Sequence, residues 1–209
     1  MIQPQPDNYH ARTDQTLPLH QSQVYNQLLA TQRYAGENAM KINKKKTQLI
    51  LFNPAKTLDF MPEFKLGEDE IELVEEIKLL GLIIRSDLKW SSNTDNLTLK
   101  GYKRLWMLRR LKQLGANRDE LLDVFIKQVR SVLELAVPVW HSSITVKERC
   151  DLERVQKAAL HIILGNEYTS YQDALDCFEI GSLEERRVQL CSKFAKKAIK
   201  HSKIKIGSR

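Results

Sequence analysis

MKINKKKTQLILF, residues 40–52, places three consecutive lysines directly before a short apolar run. The run from Gln48 to Phe52 is too short for an independent helix and is closed by Asn53 and Pro54, which predicts a buried strand. The lysines therefore lie at the start of that strand. On composition alone, a solvated charged turn that leads into a core strand is the favoured interpretation.

The segments on either side of this stretch predict one helix and a small sheet. Apolar residues recur at helical spacing from Leu19 to Gly36, and this glycine is placed to end a helix. Farther along, residues 78–84, KLLGLII, predict a second buried strand that a polar turn follows. We therefore expect a helix and a small sheet over residues 19–90, after an irregular N-terminus over residues 1–18.

Beyond Trp90 the apolar residues recur with a period of 3.6 instead of two, which predicts a helical region over residues 91–202. Predicted helices cover residues 93–114 and 146–164, another lies between them and is stopped by Pro138, and a last helix contains Leu183. Four N-cap signatures mark helix starts: Asn117 with Glu120, Thr145 with Glu148, Ser170 with Asp173, and Ser182 with Glu185. The predicted class is α+β.

Charge is distributed in blocks along a chain whose formal net charge is +7. Residues 186–209 carry nine Lys or Arg and no acidic residue, whereas residues 151–185 are net acidic. A basic face suits a polyphosphate backbone, but a basic helix end also favours the helix dipole and solubility. Both interpretations stay open for the basic face of the last helix, which consists of Arg186, Lys193, Lys196, Lys197 and Lys200.

Several classes of protein do not fit this sequence. It has no apolar run long enough to span a membrane and no secretory signal, and its three cysteines lack metal-ligand spacing. Reduced thiols in an intracellular compartment, nuclear or cytoplasmic, are expected. The chain contains no adjacent Asp pair and no Gly-rich phosphate loop. No catalytic constellation, bound metal or small-molecule substrate is therefore expected.

Six stretches, in order, resemble the C-terminal part of non-LTR (LINE-type) retrotransposon reverse transcriptases, and together they cover roughly residues 20–202. The stretch NAMKIN at 38–43, followed by Lys46-Thr47 and Leu51-Phe52, resembles motif D at the end of the palm domain. Leu79-Leu80-Gly81 with DLKW at 87–90 resembles motif E, the primer grip. The remaining blocks resemble the thumb and the helices after it: residues 108–112, 133–140, 152–158 and 183–187.

The resemblance implies roles for particular residues. Lys46 matches the motif D lysine, which lies near the phosphates of the incoming nucleotide, while Lys44 and Lys45 are weaker matches. Leu80 and Gly81 would form the turn that holds the 3′ end of the primer. Contacts to the phosphates of an RNA/DNA template–primer are expected from Arg109, Arg110 and Lys112, and from the basic face of the last helix.

The resemblance also implies an architecture. Residues 19–90 would be an incomplete palm-type sheet with one helix, residues 91–202 a thumb-like helical bundle, and residues 203–209 a basic tail. The palm aspartates that bind Mg²⁺ in the intact family enzyme have no match here. We therefore expect a truncated fragment that is inactive alone, with a catalytic half missing. The alternative is a stand-alone basic helical module that binds an acidic protein or a membrane surface.

Overall fold

A computed structural model of the chain describes residues 19–52, 64–66 and 69–206. Helices and short strands are combined in it, in agreement with the predicted α+β class. The predicted irregular N-terminus, residues 1–18, and the last three residues of the predicted basic tail lie outside the described residues. The chain divides into two compact units, Met1–Leu49 with Thr57–Leu73, and Ile50–Lys56 with Val74–Arg209.

The first unit contains one helix and short paired strands. Helix α1 confirms the predicted first helix, and a 3-10 turn, Lys44–Lys46, precedes the first strand. Strand β1 pairs with β4, and β2 pairs with β3 in an antiparallel ladder. The bounds are α1 Leu19–Glu37, β1 Gln48–Ile50, β2 Lys65–Leu66, β3 Asp69–Glu70 and β4 Glu72–Val74.

The predicted buried strand from Gln48 to Phe52 is wrong in both length and burial. Strand β1 ends at Ile50, its apolar residues are only half-buried, and Phe52 is 51% exposed. Within the described residues β1 has a single neighbouring strand, and a two-stranded ladder on its own buries little apolar surface.

From Val74 onward, the first element of the second unit is a hairpin where the sequence predicts one buried strand. Strand β5, Glu76–Leu79, pairs with β6, Leu82–Arg85, around a turn whose central residues are Leu80 and Gly81. Both central residues have positive φ, 49° for Leu80 and 90° for Gly81, as a two-residue type I′ turn requires. The predicted continuous strand is wrong because the chain reverses at Leu80 and Gly81. Glycine readily adopts the left-handed conformation that this turn requires.

Helices form the rest of the second unit, and all four predicted N-caps are confirmed by hydrogen bonds from backbone amides to the capping side chains. The predicted helix from Val146 to Leu164 is confirmed at both ends. A π-helical segment, Phe125–Arg130, joins α3 to α4. The bounds are α2 Ser91–Gln113, α3 Arg118–Val124, α4 Ser131–Leu133, α5 Val137–Trp140, α6 Val146–Leu164, α7 Tyr171–Cys177 and α8 Leu183–Ile206.

Pro138 does not stop the second predicted helix. That helix ends at Leu133, and Ala136, in the left-handed conformation with φ of 48°, separates it from α5. Pro138 instead lies in the first turn of α5, where its missing N–H would have no intrahelical partner in any case.

The main core lies between α2 and α6 and also includes part of the β5–β6 hairpin. Gly101 allows close approach of the two helices, because a Cβ atom there would lie 2.9 Å from Val155 Cγ1. Leu82 of the hairpin is buried in this core, and the Ile83 amide donates a hydrogen bond to Asn93 Oδ1 at 3.2 Å. The compact helical unit therefore starts before the change of hydrophobic period that follows Trp90.

Candidate nucleic-acid interface

The solvent-exposed side of α2 carries aromatic and basic side chains together. Its opposite side, which includes Leu97, Leu105 and Leu108, is completely buried in the core. Trp106 is 62% exposed although it is the largest apolar side chain of the helix. In an α-helix, residues three and four positions away are the surface neighbours. For Trp106 these neighbours are Tyr102, Lys103, Arg109 and Arg110, all of which are exposed. We call these five residues the α2 outer face.

Six basic residues and no acidic residue occupy positions 96–117, but two of the six are bound within the protein. Arg104 donates a hydrogen bond to the Gln128 carbonyl. The Lys112 ammonium donates to the carbonyls of Ile162 and Ile163, at 2.6 and 3.1 Å, where it neutralises the C-terminal end of α6. The Lys112 ammonium is therefore engaged at the end of α6, although Lys112 lies one helical turn after Arg109 on α2.

The remaining cations of this stretch are Lys100, Lys103, Arg109 and Arg110. None of them forms an ion pair within the described part of the chain. Exposed cations that form no internal ion pair are able to neutralise the charge of an anionic ligand. The α2 outer face thus combines free positive charge with an exposed indole ring.

Trp106 and Tyr102 are functional candidates that were not predicted from the sequence. Their signal was present in the sequence, since both aromatic residues fall at helical spacing from basic residues within a stretch that has no acid. What the sequence could not show is which side of α2 is buried. A Trp at this spacing is as compatible with the core as with a binding surface.

The three consecutive lysines of residues 40–52 lie in the first unit. Lys44, Lys45 and Lys46 form the 3-10 turn, and the side chains of Lys45 and Lys46 are exposed to solvent. The turn is joined to its surroundings by backbone bonds, including one from the Lys46 amide to the Asn43 carbonyl at 3.0 Å. The geometry leaves both ammonium groups accessible to an anion.

The predicted primer grip corresponds to the hairpin tip and the turn after β6. Leu80 is 91% exposed at the tip, and a Cβ atom on Gly81 would lie 3.2 Å from Leu135 Cδ2. Behind the tip, Arg85 donates two hydrogen bonds to the Asp87 carboxylate, at 3.0 and 3.2 Å. This bidentate pair, with a further bond from the Lys89 amide, lowers the pKa of Asp87 to about 2. The aspartate is therefore a fixed anion that shapes the turn.

The basic face of α8 is only partly free. Lys193, Lys196, Lys197 and Lys200 are exposed. Arg186 differs, because its Nε donates to Glu134 Oε1 at 3.1 Å, and the same oxygen accepts from Arg130 at 2.9 Å. This triad lies in a cleft of about 460 Å³. The structure thus separates Arg186, bound to a carboxylate, from the lysines with which it was predicted to act.

Arg187, next to Arg186, belongs to the interior. It is 1% exposed, and its Nε and Nη2 atoms have no hydrogen-bond partner in the described residues. Burial lowers the pKa of Arg187, while Glu153 and Glu184 act in the opposite direction. Burial followed by the charges of Arg187 and Arg149 lowers the pKa of His141. Among these groups only Arg187 is buried, whereas the Glu184 side chain is half exposed.

Residues 19–52, 64–66 and 69–206 show neither a metal-binding cluster nor a membrane-spanning helix. They contain no cluster of three His, Cys, Asp or Glu side chains arranged to hold a metal ion. None of their helices combines the length and the apolar character needed to cross a membrane. Comparison with family models, with curated proteins and with solved structures gives no match to this chain.

Proposed function

We propose that this chain is a nucleic-acid-binding part of a reverse transcriptase of the non-LTR class, which binds an RNA/DNA template–primer and does not polymerise alone. The observation that carries the proposal is the α2 outer face. Lys103, Arg109 and Arg110 are exposed there, and no ion pair of the described residues occupies them. Release of counterions by such cations supplies most of the affinity for a phosphate backbone.

The ordered resemblance of six stretches supports the assignment to this class. Residues 19–90 are proposed to be the end of a palm and residues 91–202 a thumb with its following helices. In that arrangement Lys46 faces the phosphates of an incoming nucleotide, and Leu80 at the hairpin tip contacts the primer end. The exposure of both side chains supports these contacts.

Polymerisation would require a second component. Phosphoryl transfer in this class uses two Mg²⁺ ions held by carboxylates, and the sequence contains no adjacent Asp pair. The metal would therefore be held by a catalytic half outside this sequence.

The experiment is a salt titration of binding to an RNA–DNA hybrid. For the intact chain we expect the logarithm of the association constant to fall linearly with the logarithm of salt concentration. Replacing Lys103, Arg109 and Arg110 together by Gln should reduce the slope by about 2 to 3, since each phosphate contact contributes roughly 0.7 to 0.9. The matched control replaces the exposed Lys127, Lys147 and Lys157 by Gln. It removes the same charge outside the predicted phosphate-binding residues and should leave the slope nearly unchanged. Affinity that is independent of salt, or an unchanged slope in the α2 variant, contradicts the proposal.

A second candidate, an interaction module that docks an acidic protein or a membrane surface, is favoured by α8. Residues 192–200 are all exposed, and Phe194 and Ile199 are 60% and 56% exposed beside the lysines. A helix with an apolar side and lysines on another lies well in an anionic interface. Binding to anionic vesicles or to an acidic peptide that Phe194→Ser weakens, with no affinity for the hybrid, would establish this candidate instead.

A further inference from the structure

We infer that the α2 outer face binds unpaired nucleotides, whose bases stack on Trp106 and Tyr102 while Lys103, Arg109 and Arg110 hold the phosphates. The inference rests on the proposed function and specifies its ligand as single-stranded RNA or DNA, such as a template overhang beyond a duplex.

The indole ring of Trp106 lies on the solvent side of α2. Trp106 lies on the side of α2 directly opposite the buried residues Leu97 and Leu108, because these are nine residues before it and two after it. It is therefore held away from the core by the helix itself. Tyr102, one turn earlier, is 41% exposed, and Leu99, a further turn back, is 53% exposed. The three side chains form one apolar strip along the helix.

Positive charge lies on both sides of Trp106 along the helix. Lys103 lies one turn before Trp106, and Arg109 and Arg110 lie one turn after it. Their surface neighbours on α2 include no carboxylate, since residues 96–117 contain none. Cations therefore flank Trp106 on both sides along the helix, whereas Leu99 and Tyr102 line a cleft that also contains Asp95 and Asp151. Cations beside an exposed aromatic ring are the arrangement that binding of a nucleotide strand needs.

The exposed aromatic rings favour a single strand over a duplex as the ligand. In a duplex the base faces are covered by their stacked neighbours, and a protein meets only groove edges and phosphates. A base of a single strand is free to leave its stacked neighbours, so its face can pack against an exposed aromatic ring of the protein. Base–aromatic stacking contributes sequence-tolerant affinity of this kind. Lys103, Arg109 and Arg110 would be sufficient to bind the phosphates of a duplex. The exposed rings of Trp106 and Tyr102 gain a role only when unpaired bases are present.

The experiment compares three ligands of equal length and equal charge per strand, which are oligothymidylate, the same strand with abasic sites throughout, and a blunt RNA–DNA hybrid. The full chain is tested beside Trp106→Ala, Trp106→Phe and the control Leu114→Ala, which removes a side chain that is 68% exposed after the end of α2. Circular dichroism verifies that each variant is folded.

We expect Trp106→Ala to weaken binding of oligothymidylate by about 5- to 150-fold, the range of one stacked base. Trp106→Phe should lose less, and Leu114→Ala should lose nothing. For the abasic strand, the affinities of the wild-type chain and of Trp106→Ala should agree within about twofold, and the same should hold for the blunt hybrid. Stacking on Trp106 contributes to the binding of neither ligand. Quenching of tryptophan fluorescence by oligothymidylate should be largely absent in Trp106→Phe.

Three results would overturn the inference. Equal wild-type affinity for abasic and base-containing strands would exclude stacking, and salt-dependent hybrid binding would then leave the proposed function intact. Polyglutamate of equal charge that binds as tightly as oligothymidylate would identify an acidic protein as the ligand. Absence of binding to all three nucleic acids would overturn the inference and the proposed function together.

Discussion

Leu80 is held in a backbone conformation that is unfavourable for its residue type. Its φ of 49° lies in the left-handed region, and its side chain is 91% exposed. The left-handed conformation costs a non-glycine residue roughly 1–2 kcal/mol, and Asn tolerates it better than Leu. We therefore predict that Leu80→Asn raises the free energy of unfolding by about 1 kcal/mol, since no buried contact is lost. Urea denaturation measures the change.

The neighbouring Leu79 provides the control for this prediction. It is 54% exposed but lies in strand β5, where Asn is disfavoured, so Leu79→Asn should not stabilise the protein. Equal effects of the two substitutions would show that exposure of leucine, and not backbone strain, determines the result. A stabilised Leu80→Asn variant that binds the hybrid less well would support a contact between the hairpin tip and nucleic acid.

Asp87 gives a prediction for the dependence of stability on pH. The Arg85 hydrogen bonds, followed by that of the Lys89 amide, lower its pKa in the folded chain from 3.8 to about 2. Because the folded pKa is lowered, the stabilisation is present above pH 4 and is lost as the pH falls from about 4 to about 2. The difference in stability between wild type and Asp87→Asn should therefore be larger at pH 5 than at pH 2.5. A difference that does not change with pH would contradict the prediction.

Lys112 and Arg109 show what residue types alone cannot predict. Both are basic residues of α2 and were expected to contact phosphates, yet only Lys112 donates to carbonyls of α6, about fifty positions later in the chain. Such a partner depends on how α2 and α6 pack, which no local pattern encodes. The same limit applies to Arg186 and its partner Glu134.

Among the elements, α2 depends on Gly101. A Cβ atom at this position would lie 2.9 Å from Val155 Cγ1 and 3.0 Å from Leu133 Cδ2. Replacing glycine by alanine in a helix normally gains about 1 kcal/mol, but overpacking a core costs typically 1–3 kcal/mol. We predict that Gly101→Ala lowers the free energy of unfolding by about 1 kcal/mol because the steric cost is the larger effect.

A double-mutant cycle with Val155→Ala tests the cause. Removing the valine methyl groups opens space for the new Cβ atom, so the double variant should be more stable than the sum of the single effects by at least about 0.5 kcal/mol. Additive effects would mean that the valine does not oppose the alanine. Denaturation followed by circular dichroism provides all four values.

The helix ends were predicted better than the strands because their signals are local. Each N-cap depends on residues three positions apart, such as Thr145 and Glu148, and both bonds of this capping box are present. Strand β1 instead depends on β4, more than twenty positions away. The turn at Leu80 and Gly81 contained its own glycine signal, but the apolar residues on both sides favoured a continuous strand.

At the scale of the whole molecule, the contacts of the β5–β6 hairpin with the helical core predict that the hairpin and the helices unfold together. Leu82 is buried in the helical core, and the Ile83 amide donates to the fully buried Asn93 side chain. A chain of residues 91–206 would lose this burial, worth about 1.5–3 kcal/mol, and leave Asn93 Oδ1 without its partner. We predict that residues 74–206 unfold cooperatively and are more stable than residues 91–206 by about 3 kcal/mol. Fluorescence of the buried Trp140 follows both transitions. Leu82→Ala in the longer chain should reproduce most of the loss, whereas equal stability of the two chains would show that the change of period after Trp90 is the true boundary.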